Sequence, residues 1–155
     1  MRVEERLRKM VEETPDNYWL ITDEKRLDEF LSILQSEKEI VFDVETTGAD
    51  VWKDYLVGHV ITAVKADIHA YIPTKHDVNE PQLDHDYVLE KLRPYYEDES
   101  LGKIAHNSKF DIHILANEGI DVKGDVWDTL EAMRMLNENE PLFALKPLVS
   151  KYLHI

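Results

Sequence analysis

The chain has 155 residues, 43% hydrophobic and 32% charged, with 5 Gly, 6 Pro and no Cys. This composition suits one ordered domain and excludes disulfide frameworks, thiolate metal sites and cysteine nucleophiles. The N-terminal MRVEERLRKMVEE is too charged for a signal peptide and no run approaches the ~18 apolar residues of a membrane span, so a soluble, cytoplasmic protein without a membrane partner is expected. The formal net charge of −14 opposes a partner held by phosphate contacts alone. It leaves two routes to nucleic acid: divalent cations in an acidic cleft, or a more basic neighbouring domain.

In chain order, Val3, Leu7, Met10 and Val11 recur at helical spacing and predict an amphipathic helix that ends before Pro15 and marks residues 1–17 as an N-terminal helical unit. A short strand follows at 18–21. Thr22 is placed to cap a helix whose Leu27, Phe30, Leu31 and Leu34 fall on one face. Ile40, Phe42 and Val44 alternate with Val41, Asp43 and Glu45 in a second strand that ends near Gly48. The runs 56–64 and 68–72 predict a hairpin, and 73–84, rich in Pro, Asn, Asp and His, a connecting loop. A helix around Val88, Leu92, Tyr95 and Tyr96, a strand at 103–105 and a helix over 108–118 closed by Gly119 come next. Two helices finish the chain, the first with Asp128 and Glu131 at capping-box spacing, the second with Leu145, Leu148, Val149 and Tyr152 as its apolar stripe. Strands alternating with helices define an α/β layered fold around a mixed sheet.

The chemistry concentrates in two places. In Val41-Phe42-Asp43-Val44-Glu45-Thr46-Thr47-Gly48, two acids stand two residues apart on a strand, so both carboxylates face one side with Cα atoms roughly 6–7 Å apart. They are able to converge on a cation, or to form the solvated face of an edge strand; their position inside an apolar strand, a costly place for Asp, favours the first reading. In Ala105-His106-Asn107-Ser108-Lys109-Phe110-Asp111, a strand end runs into a helix start. There Asp111 is either a capping acid for Asn107 or Ser108, or a third metal carboxylate.

Phe42-Asp43-Val44-Glu45-Thr46 resembles the first exonuclease motif of DNA polymerase I proofreading domains, and Asn107-Ser108-Lys109-Phe110-Asp111 resembles the second. The resemblance extends over residues 18–155, in the order of its elements, to Gly119-Ile120 and Trp127-Asp128-Thr129. It implies a ribonuclease H-like fold of the DEDD exonuclease superfamily and two-metal hydrolysis at the 3′ end of single-stranded DNA, in company with a polymerase domain or subunit. It further implies Mg²⁺ or Mn²⁺ held by Asp43, Glu45 and Asp111, with Thr46, Asn107 and Phe110 contacting the terminal nucleotide. The family's third motif, a Tyr or His followed by the last Asp, is expected beyond Ile155, which makes 18–155 a C-terminally incomplete exonuclease domain. Tyr152 and His154 do not replace that motif: no acid follows them, and Tyr152 is expected to pack in the core. Two alternatives accompany this reading, a non-catalytic module serving a polymerase and an RNA-directed exonuclease of the same superfamily. The scattered histidines lack zinc-ligand spacing, the acidic runs 97–99 and 138–140 read as solvated surface, and Asp128 reads as a helix cap. The three tryptophans read as core or half-buried, with Trp52 open to contact with a base.

Overall fold

A computed structural model describes residues 8–9 and 11–154. Val3, Leu7 and Met10, which define the expected N-terminal helix, lie outside them. The elements are β1 (Tyr18–Leu20), α1 (Glu24–Leu34), β2 (Glu39–Thr46), β3 (Leu56–Ala63), β4 (Ile68–Pro73), α2 (His85–Tyr96), β5 (Gly102–Ala105), α3 (Ser108–Asn117), β6 (Val126–Asp128), α4 (Thr129–Leu136) and α5 (Leu145–Leu153).

The six strands form one sheet in the order β1-β4-β3-β2-β5-β6. β2, β3 and β4 pair antiparallel, while β1 joins β4, β5 joins β2 and β6 joins β5 in parallel. The sheet is therefore mixed, as expected. Alternation sorts β2 cleanly: Ile40, Phe42 and Val44 are buried, whereas Val41, Asp43 and Glu45 are exposed. The buried set packs with Leu27, Phe30 and Leu34 of α1, Val88, Leu92 and Tyr96 of α2, and Ile114 and Leu115 of α3, in one core on one side of the sheet. Phe42 is fully enclosed there, and truncating it to Ala would cost about 3–5 kcal/mol. Tyr95 of α2 donates to the Leu31 carbonyl at 2.9 Å, tying the two core helices together. The opposite face, carrying Tyr18, Leu20 and Val41 as well as the acids of β2, is open.

Several local expectations are corrected. The cap of α1 is Asp23, which accepts from the Arg26 amide at 2.9 Å, rather than Thr22. Residues 126–128 form a strand that the sequence reading missed; three residues offer too short a run for periodicity to register. Trp52 and Trp127 are 81% and 64% exposed, not semi-buried. Glu140 is buried instead of solvated, because Lys151 and Tyr152 of α5 both donate to its carboxylate at 2.7 Å. The same bond explains why Tyr152, expected in the core, stays exposed: its phenol is drawn outward to Glu140.

Candidate active site

The position of Asp111 follows from where β5 stops. β5 pairs with β2 from Glu39 to Val41 only. Beyond that point the free side of β2 needs another acceptor, and the Val44 amide donates to Asp111 Oδ1 at 3.2 Å. A buried N–H without a partner would be costly, so α3 replaces the missing strand with a carboxylate. Asp111 is 2% exposed. Its carboxyl is pushed up from the ordinary 3.8 to about 7, first by burial and then by the charge of Asp43, which also lies within hydrogen-bonding reach. Asp111 is therefore not a capping acid. The N-cap position of α3 belongs to Asn107, in the left-handed region at φ 65° and without a side-chain cap.

Asp43 and Glu45 share the open face, as the alternation predicts. The structure thus brings Asp43 and Asp111 together. Glu45 stands one rung further on, opposite Gly58, just before the register shift between Glu45 and Thr46. Among the described residues no three His, Asp or Glu side chains stand together as a ready metal centre. The donor chemistry nevertheless suits a hard cation: the groups are carboxylate oxygens, and the repulsion that raises Asp111 is what a divalent ion relieves.

The expected nucleotide-binding residues have mixed surroundings. The Thr46 hydroxyl donates to the Gly48 carbonyl at 2.6 Å, which turns the chain after β2. Asn107 is exposed, while Phe110 is half-buried against the core.

The structure adds residues that sequence reasoning did not assign to the site. Asp128 caps α4, as expected, but also clasps the second motif. Its carboxylate accepts five hydrogen bonds, from the amides of Asn107, Ser108, Leu130 and Glu131 and from the Ser108 hydroxyl, at 2.7–3.4 Å. These bonds hold its pKa down against the burial that would raise it. His106 completes the clasp, bonding Thr129 Oγ1 through Nδ1 and the Phe143 carbonyl through Nε2, both at 2.8 Å. The available signal was the parallel pairing of 126–128 with β5, invisible once β6 was missed.

Tyr71 is the second addition. It belongs to the cross-strand row Asp43, Val60, Tyr71, and its phenol lies over Gly58, opposite Glu45, where an added Cβ would come 2.7 Å from the ring oxygen. Glycine leaves the space that the phenol occupies. Partial burial and then the Glu45 charge raise the pKa of Tyr71, and its hydroxyl bonds His76 Nε2. Behind the acids, fully buried Tyr96 feels burial first and then the charges of Asp111 and Asp43, which keep its phenol neutral. Its oxygen meets His59 Nδ1 at 3.0 Å. His59 is pulled down to about 3 by burial and then by His85, and its Nε2 has no hydrogen-bond partner among the described residues.

A mixed α/β sheet with acids at the end of a central strand and a helix bringing a further acid alongside has the architecture of a ribonuclease H-like fold. The comparisons agree. The family profile described as 3′-5′ exonuclease matches residues 18–155. DNA polymerase I of Pseudomonas aeruginosa is 35% identical over 141 residues, covering 88% of this chain and 15% of that protein. Among solved structures, the polymerase domain of Pol1 from M. smegmatis, in complex with DNA primer-template and dNTP, superposes with a TM-score of 0.70 at 22% identity, covering 88% of this chain and 23% of that one. Escherichia coli RNase D, an exoribonuclease involved in structured RNA processing, gives 0.68 at 16% identity, with 89% and 34% covered. The chain belongs to the 3′-5′ exonuclease family of DNA polymerase I type. It spans about 15% of the length of that curated relative. Among the described residues no helix is long and apolar enough to cross a membrane.

Proposed function

We propose that this domain hydrolyses the 3′-terminal phosphodiester bond of single-stranded DNA and serves a polymerase domain or subunit as its proofreading exonuclease. The observation that carries the reading is the pairing of Asp43 with Asp111 across the Val44 amide. Asp43, Glu45 and Asp111 would hold two divalent cations, Mg²⁺ or Mn²⁺. When bound, such a pair of ions activates water for in-line attack and stabilises the leaving 3′ oxygen.

The residues of the chain do the rest. The Val44 amide fixes one oxygen of Asp111, so that the carboxylate is oriented before substrate arrives. Asp128 fixes the turn that delivers Asp111. Thr46 through its backbone, the exposed Asn107 side chain and the Phe110 ring hold the terminal nucleotide. A strongly acidic chain needs the cations to make this pocket hospitable to phosphate, or a basic neighbour to bring the strand.

The test is Mn²⁺-dependent shortening of a 3′-ended single-stranded DNA, read on this chain, its Asp43→Ala variant and a chain extended at the C-terminus. Cleavage that vanishes in the variant supports the assignment, and cleavage unchanged in it would falsify the role of Asp43. A second reading, a non-catalytic module for a polymerase partner, draws on the absence of a three-acid cluster among the described residues and on the open sheet face. Silence from both the short and the extended chain selects it. Preferential cleavage of a matched RNA strand selects an RNA-directed enzyme over the DNA reading.

A further inference from the structure

Resting on the exonuclease reading, we propose that Trp52 is a stacking platform for a nucleobase of the single strand, at the end of a groove along the outer face of α3. The connection between β2 and β3 is not a loose loop. Asp54 Oδ1 accepts from the Thr47 hydroxyl and Asp54 Oδ2 from the Asp50 amide, both at 2.8 Å, while Asp50 Oδ1 accepts from the Trp52 amide at 3.0 Å. The Thr47 amide reaches the Tyr55 carbonyl at 3.1 Å and closes the base of the turn. Gly48 makes room for this arrangement, because a Cβ there would come 2.5 Å from the Asp54 carboxylate. Asn117 of α3 donates to the Val51 carbonyl at 2.8 Å and ties the turn to the helix.

This network holds the indole outward. Trp52 is 81% exposed, and its ring contact is a perpendicular one with His113, centroids 4.9 Å apart, which leaves at least one indole face open. Burying such a side chain would gain roughly 2–3 kcal/mol, yet the turn is built to keep it in solvent. The groove beside it, about 560 Å³, is lined by Ser108, Lys109, Ile112, His113 and Ala116. Its first residue belongs to the turn that delivers Asp111, and His113 lies two residues beyond Asp111. Residues two apart on a helix point about 200° from each other, so the groove lies around α3 from Asp111, and a strand whose 3′ end sits at Asp43 and Asp111 would reach it by way of Ser108 and the Trp52 turn.

Charge selects the mode of binding. Among the described residues Lys109 is the one Lys or Arg lining the groove, in a chain with 32 acids and 18 Lys and Arg. Phosphate contacts are scarce there, so attraction for a strand has to come from an uncharged interaction. Base–aromatic stacking supplies about 1–3 kcal/mol per base and tolerates any sequence.

The experiment compares fluorescein-labelled oligodeoxythymidine of about eight nucleotides with an abasic phosphodiester strand of equal length. Binding is measured by anisotropy in EDTA at low temperature so that the strands stay intact. The unmodified chain is expected to prefer the base-bearing strand by about tenfold, Trp52→Ala to lose that preference, and Trp52→Phe to keep most of it. The dependence of binding on salt should be the same in all three, since no phosphate contact is removed. Thermal unfolding checks that the variants are folded. Preference retained in Trp52→Ala overturns the inference and leaves the exonuclease reading standing on its Asp43-dependent cleavage. An unmodified chain that binds neither strand, or both equally, overturns the inference, whereas the exonuclease reading is decided separately by Asp43-dependent cleavage in Mn²⁺.

Discussion

Replacing Asp111 by Asn is the sharpest physical test of the site, because it removes a charge and keeps a shape. The amide oxygen of Asn retains the bond from the Val44 amide, but no longer has to ionise in a buried position beside Asp43. With a folded-state value of about 7 against an ordinary 3.8, the ionised carboxylate costs at most about 4 kcal/mol, at about 1.4 kcal/mol per pH unit. The neighbouring Asp43 is exposed to solvent, which screens part of this, so on the order of 2–4 kcal/mol is expected. The sign is set by proton uptake. Between 3.8 and about 7 the folded chain holds a proton that the unfolded chain has released, so this group's contribution to stability falls as pH rises through that window and is fully lost above it. In metal-free buffer, Asp111→Asn should therefore stabilise the domain at pH 8, raising the melting temperature by roughly 2–4 °C per kcal/mol, and change little at pH 4. Urea denaturation in EDTA at the two pH values measures it. Divalent cation should restore the stability of the unmodified chain at pH 8 but not raise that of the variant. Equal destabilisation of the variant at both pH values would refute the idea that Asp111 is held against its ionisation.

Two further outcomes follow from the surroundings of the acids. Asp128→Ala removes one carboxylate and five hydrogen bonds, leaving the Asn107 and Ser108 amides and the first turn of α4 without their acceptor; a loss of about 2–4 kcal/mol is expected in chemical denaturation. Gly58→Ala drives a methyl into the Tyr71 phenol and should cost about 1–3 kcal/mol. Adding Tyr71→Ala should recover part of that loss, a non-additivity that a double-mutant cycle reads directly.

Much of this was legible because strands announce themselves by alternation. Ile40, Phe42 and Val44 against Val41, Asp43 and Glu45 fixed both the strand and the side on which its acids lie, and Leu27, Phe30, Leu31 and Leu34 fixed the buried face of α1. What stayed hidden depended on groups far apart in sequence. The capping role considered for Asp111 from its spacing to Ser108 was wrong, because the Val44 amide, 67 residues away, claims the carboxylate. Tyr152 and Glu140 each read differently alone than as a pair: the phenol looked apolar enough for the core and the acid polar enough for solvent, and their bond reverses both. Trp52 shows the same limit from the other direction. A tryptophan in a polar stretch looked at least half-buried, and only the hydrogen bonds of Asp50, Asp54 and Asn117 show a turn that spends its polar groups on keeping the indole out.

These long-range bonds also bear on how an acidic chain is able to work on a polyanion. Asp43 and Asp111 concentrate negative charge where a cation would sit, while Asp128 and Asp54 have theirs absorbed by backbone amides and hydroxyls. The first pair is met by far fewer donors, with the Val44 amide on one oxygen of Asp111. Acids that serve as structural acceptors add to the net charge of −14 without adding metal ligands, so net charge overstates the repulsion that a strand would meet at the site once cations are bound. Where a strand would leave that site, the proposed contact is a flat aromatic ring rather than a row of cations, so stacking would supply the attraction that phosphate contacts do not.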